Sequence, residues 1–232
     1  MYEGESDISI TGEIRYLSER STLLHHVMEF NHNVFEYVHQ DWLNGWISHQ
    51  TYQRLASSRR GRGYLRQVFF DRFKLEPQGV YDFRASATRF SLLHPAELET
   101  LCLRLGMARY HRIFSRIIKR SERDKVKQLL GQDAYQFVTR RAALMVAPAM
   151  ELNERGVDEL DRTYLSQVGW STLAGLIDGR QDRWRRTRLK LPPAVTVSND
   201  STNFIPQPHA YALAYRILTN TIDSKWTHVF NS

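Results

Sequence analysis

The run Leu93–Leu130, LHPAELETLCLRLGMARYHRIFSRIIKRSERDKVKQLL, most narrows what this chain can fold into. It opens with His94-Pro95, and proline suits a first helical turn because its missing N–H would be unpaired there anyway. Leu98, Leu101 and Leu105 follow at i, i+3 and i+7, the spacing of one helical face. Gly106 is expected to end that helix as a C-cap. Tyr110, Ile113, Phe114 and Ile117 then predict a second apolar stripe. Arg109, Arg112, Arg116, Lys119 and Arg123 recur on another side. At about 100° per residue the basic row lies roughly 135° round from the apolar one. Burying the stripe therefore leaves a solvated cationic ridge. Ser121, with Asp124 three residues later, predicts the cap of a third helix. The run supplies consecutive helices, and no nucleophile, carboxylate pair or metal cluster.

The rest of the chain extends this pattern. Val27, Phe30, Val34 and Val38 predict a helix within Thr22–Leu43. His25, His32 and His39 recur every seven residues on its flank, too far apart for ligation, so no metal site is expected. Short helices are expected at His49–Ser57 and Tyr64–Phe73, separated by SSRRGRG (57–63), which reads as a solvated loop tip. Residues 75–90 are a connection. Ala134, Phe137, Val138, Ala142 and Met145 give a fourth helix ending near Pro148, and Val157–Ile177 another, in which Gly169 and Gly175 point to close helix packing. Asp178-Gly179 closes that helix. Next come Arg180, Arg183, Arg185, Arg186, Arg188 and Lys190, opposed only by Asp182. The alternation Arg188-Leu189-Lys190-Leu191 is short-strand-like, with both leucines on one face. Residues 192–208 read as loop. Tyr211, Ala214, Tyr215, Leu218 and Ile222 form a closing helical stripe, with Trp226 and Phe230 docking the tail.

These readings predict a mainly α, compact, single-domain multi-helix bundle with at most a short strand or hairpin. Residues 1–20 are expected as a flexible lead-in and 21–232 as one helical domain. The formal charge of +7 invites an acidic partner: nucleic acid, an anionic membrane or an acidic protein surface. The single cysteine, Cys102, has no internal disulfide partner, which fits a reducing compartment, and its leucine neighbours predict a buried thiol. Met1–Ile10 has no secretory pattern. The longest uncharged apolar run, Ala142–Met150, is well short of the roughly 20 residues a membrane helix needs. A soluble, intracellular protein is expected. No phosphate loop, dinucleotide fingerprint, nucleophile elbow, kinase signature or zincin motif occurs, so no catalytic residue and no cofactor is expected.

Leu98–Gly106, Arg109–Ile118, Asp161–Gly169, the passage from Trp184 into Arg188–Pro192, and Leu213–Phe230 together resemble, in order and spacing, the SctK family (YscK, PscK and relatives) of the type III secretion sorting platform. The resemblance implies a non-enzymatic adaptor, cytoplasmic and peripheral to the inner membrane at the injectisome base. It implies links to the cytoplasmic domain of the ring protein SctD and to the pod protein SctQ, and through the pods to SctL and the export ATPase. It carries over no site residues. The residues themselves nominate a protein-interaction surface at Arg109, Arg112, Arg116, Lys119 and Arg123, or at Arg183, Arg185, Arg186 and Arg188. The alternative is a basic nucleic-acid-binding helical protein, from RRGRG and WRRTR. Its aromatics, however, lie mostly on stripes facing the core, so no nucleic-acid partner and no membrane insertion are expected.

Overall fold

The computed structural model describes residues 12–147, 152, 155–177, 181–196 and 207–231. The chain forms α1 (12–18), α2 (Ser21–His32), α3 (Val34–Tyr37), α4 (His49–Ala56), α5 (Arg59–Phe73), α6 (Pro95–Arg109) and α7 (His111–Ser115). It continues with α8 (Arg120–Leu130), α9 (Gln132–Arg140), α10 (Ala142–Met145), α11 (Arg162–Ile177), α12 (Gln181–Arg188), α13 (Pro193–Thr196), α14 (Gln207–Ile217) and α15 (Trp226–Asn231). No strand occurs among the described residues, and the fold is mainly α as expected. The first eleven residues of the expected lead-in, Pro148, and the Asp178-Gly179 stop lie outside the described residues.

Several boundaries differ from the sequence reading. The helix expected over Thr22–Leu43 is α2, α3 and a 3₁₀ turn at Gln40–Trp42, so His39 does not share a helix with His25 and His32. SSRRGRG is not a loop tip. The Ser58 hydroxyl accepts from Gly61 N at 3.0 Å, and α5 starts at Arg59. A Cβ on Gly61 would fall on the Leu55 carbonyl, so glycine is what lets α4 and α5 approach. Arg188 is the last residue of α12 and residues 189–191 turn away from it: Lys190 N donates to Thr187 O and Leu191 N to Arg188 O, both at 3.1 Å. Burial of Lys190 beside Leu189 and Leu191 removes the two-faced pattern a strand would need. Pro193–Thr196 is a helical turn where loop was expected.

The chain divides into two compact units. The first comprises Met1–Pro95, Ile177–Pro193 and Lys225–Ser232, and the second Ala96–Leu176 and Ala194–Ser224. In the first unit Val34, Phe35, Leu65, Phe69, Phe70, Leu75 and Leu189 form a core cluster, with Trp42, Trp46 and Phe73 against it. Trp226 and Phe230 are buried as expected, and Phe230 lies 4.7 Å from Phe90 between ring centroids.

In the second unit α6 and α11 cross backbone to backbone. A Cβ on Gly106 would fall on the Leu165 carbonyl, and one on Gly169 on the Cys102 carbonyl. Gly106 is therefore an interior contact glycine and not the expected C-cap, and α6 runs on to Arg109. Gly169 packs closely as expected, whereas a Cβ on Gly175 would meet nothing within 4 Å. Asp161 caps α11, its carboxylate accepting from Tyr164 N at 2.7 Å. The Tyr110 and Tyr164 hydroxyls are hydrogen-bonded at 2.9 Å beside the crossing.

Candidate functional site

The two basic clusters nominated by the sequence have opposite fates. In the first unit the Arg183–Lys190 stretch is largely internal. Arg186, 0% exposed, donates from Nε to Asp182 Oδ2 at 2.6 Å, from Nη1 to Asn31 O at 2.9 Å and from Nη2 to Glu76 O at 2.6 Å. Asp182 in turn accepts from Glu76 N at 2.9 Å. Arg183 is buried and donates to the carbonyls of Ile177 and Asp82. Lys190 is buried, donates to Ser91 O at 2.8 Å and Leu93 O at 2.7 Å, and sits over the rings of Phe30 and Tyr37. Arg185 reaches Lys74 O at 2.8 Å. Arg188 lies over Trp184 and Trp42, and burial holds its guanidinium below the usual pKa, with Arg185 acting the same way.

The physical reason is backbone accounting. Residues 74–85 contain no helix, so their carbonyls need donors, and a guanidinium brings five in a fixed fork. The sequence reading missed this. The signal was there in Asp182 and Arg186, one helical turn apart, and in a lysine enclosed by leucines. Arg89 plays the same role unannounced. It is buried and donates to Phe83 O, Val229 O and the Tyr16 hydroxyl at 2.9, 2.7 and 2.6 Å.

In the second unit the central row is spread over several elements. Arg109 ends α6 and is buried, so it leaves the expected ridge. Arg112 is on α7, Arg116 is its C-cap, Lys119 is the N-cap of α8 and Arg123 lies within α8; all four are exposed. Ser121 does not cap α8 but lies inside its first turn, while Arg123 Nη2 donates to Ile118 O at 2.5 Å across the corner. Ion pairs on α8 are solvated: among the described residues Lys119–Glu122 lies at 3.5 Å, Arg120–Asp124 at 3.9 Å and Lys127–Asp124 at 3.5 Å. His111–Leu130 carries seven Lys and Arg against two carboxylates. Ile118 is 80% exposed at the corner, and Leu129 is exposed on α8 beside a cavity of about 390 Å³. The surface joins positive charge to accessible apolar side chains.

Cys102 is buried against α11 and burial pushes its thiol well above the usual range, opposite to an activated thiolate. No group of three or more His, Cys, Asp or Glu gathers as a metal site among the described residues.

A family model described as YOP proteins translocation protein K (YscK) matches residues 26–230. The chain belongs to the YscK family. It is a type III secretion protein, of a family whose members are accessory components of the secretion system. Neither the curated proteins nor the solved structures yield a match. The YscK match spans both units, so it includes the buried arginine network of the first and the exposed basic corner of the second.

Proposed function

We propose that this YscK-family chain is a non-enzymatic adaptor of the type III secretion sorting platform, linking the cytoplasmic domain of the ring protein SctD to the pod protein SctQ. Through the pods it reaches SctL and the export ATPase indirectly. It works in the cytoplasm, peripheral to the inner membrane; no helix among the described residues is long and apolar enough to cross a membrane. Beyond family membership, the observation that supports this reading is the exposed corner of Arg112, Arg116, Lys119 and Arg123. Complementary charge speeds encounter and selects partners, and nearby apolar side chains such as Ile118 supply contact area.

The alternative, a basic nucleic-acid-binding helical protein, rests on Arg59–Gly63 and Trp184–Arg188. The first is the start of a helix, and the arginines of the second largely serve backbone carbonyls of their own unit. The test is charge reversal, Arg112→Glu with Arg116→Glu, and binding to SctD and SctQ at two salt concentrations. Affinity for one partner should fall about tenfold at low salt, with a shallower salt dependence. Unchanged affinity and slope would remove this corner from the interface.

A further inference from the structure

A polar cavity of about 200 Å³ lies within the second unit. Three guanidinium groups line it: Arg104 from α6, Arg140 at the last position of α9, and Arg141 just after it. Among the described residues one carboxylate, Asp133 from the first turn of α9, lines it too, so two positive charges stand in excess among them. Arg104 is fixed from two sides. Its Nη1 donates to the carbonyl of Thr221 in the π turn Leu218–Ile222, and its guanidinium lies 5.5 Å from the centre of the Phe137 ring. Arg140 and Arg141 are exposed at the rim, and neither has a carboxylate within ion-pair distance among the described residues. Burial lowers the pKa of Arg104, Asp133 offsets part of this, and the charge of Arg141 adds to it. A bound anion would relieve both unfavourable effects.

We infer that this pocket binds an oxyanion, a carboxylate or phosphate group, held between Arg104, Arg140 and Arg141. Guanidinium forks match such groups two oxygens at a time, and one arginine is already held in place by Thr221 and Phe137. The volume suits one such group with a few waters, since a water takes about 30 Å³. The inference is independent of the adaptor reading. It concerns α6, α9 and the π turn, and its test uses no partner.

The test titrates the full chain with inorganic phosphate and, separately, with acetate, at constant ionic strength and pH against chloride, followed by calorimetry and by the unfolding midpoint. Arg140→Gln with Arg141→Gln is the test variant. Arg59→Gln with Arg60→Gln, exposed arginines of α5, is the control. The wild type and the control should bind phosphate with the same affinity, and the test variant about tenfold or more weakly. Binding of acetate as well assigns the pocket to carboxylates and phosphates alike, whereas binding of phosphate alone assigns it to the more highly charged group. The inference is overturned if neither anion binds the wild type, or if the test variant binds as tightly. Should the double variant unfold early in plain chloride, the two single variants carry the same comparison.

Discussion

Arg186 is a charge with no exposure to water, and it is tolerated because each of its nitrogens has a partner: a carboxylate and two backbone carbonyls. Removing one member of such a set strands the rest, and breaking a buried pair costs about 3–5 kcal/mol. Arg186→Met should therefore cost that much in denaturant unfolding, and Arg186→Lys nearly as much, because an ammonium cannot span the fork. Asn31 shows the same completeness with a neutral group, exchanging two 2.7 Å hydrogen bonds with the backbone of Val80. His26 and His32 of α2 act in the opposite sense. Burial lowers the pKa of His26, Glu29 opposes this, and His94, His25 and Lys190 add to it. His32 is lowered by burial, then by Arg66 and Arg186. The unfolded chain thus takes up protons first as pH falls through the ordinary value of 6.5. Stability should fall with pH below that point. His26→Gln should flatten the slope, as read from unfolding midpoints between about pH 7 and 5.

At the scale of elements, the α6–α11 crossing is held by two glycines facing each other's backbones. A Gly→Ala change inside a helix gains about 1 kcal/mol from propensity. At Gly169 the added methyl meets the carbonyl of Cys102, which has no soft way to yield. Gly169→Ala should lose about 2 kcal/mol or more net, near the upper range for overpacking. Gly175→Ala on the same helix, with open space around its Cβ, should be neutral or stabilising. Thermal unfolding of the two variants side by side checks the contrast. Gly169 was legible because the apolar pattern continues on both sides of it. Gly106 was not, since a glycine that stops a helix and one that admits a neighbour look alike until the neighbour is known. The same ambiguity hid the start of α5. Stripes such as Leu98, Leu101 and Leu105 were readable because burial repeats with the helical period, and all three are buried. The Arg183–Lys190 cluster was misread because its acceptors are far away in sequence, 110 residues for Arg186 to Glu76 and 99 for Lys190 to Ser91. The arginine pocket was invisible for a related reason, as its members come from α6, α9 and the π turn.

At the scale of the whole chain, the two units are interleaved in sequence. The first unit takes three separate segments and the second takes two. Neither can be cut out as one continuous piece, which supports the proposal that residues 21–232 unfold as one cooperative domain. A single calorimetric transition is expected, and two resolved transitions would separate the units. Deleting Lys225–Ser232 should damage the first unit, because Trp226, Val229 and Phe230 are buried there and Arg89 donates to Val229 O. The loss should appear as early unfolding or insolubility of the truncated chain. During translation the ribosome releases Arg89 some 140 residues before its acceptor at Val229. The nascent first unit must wait for that acceptor, with Phe90 lacking its cover, a window in which a holding chaperone has something to hold.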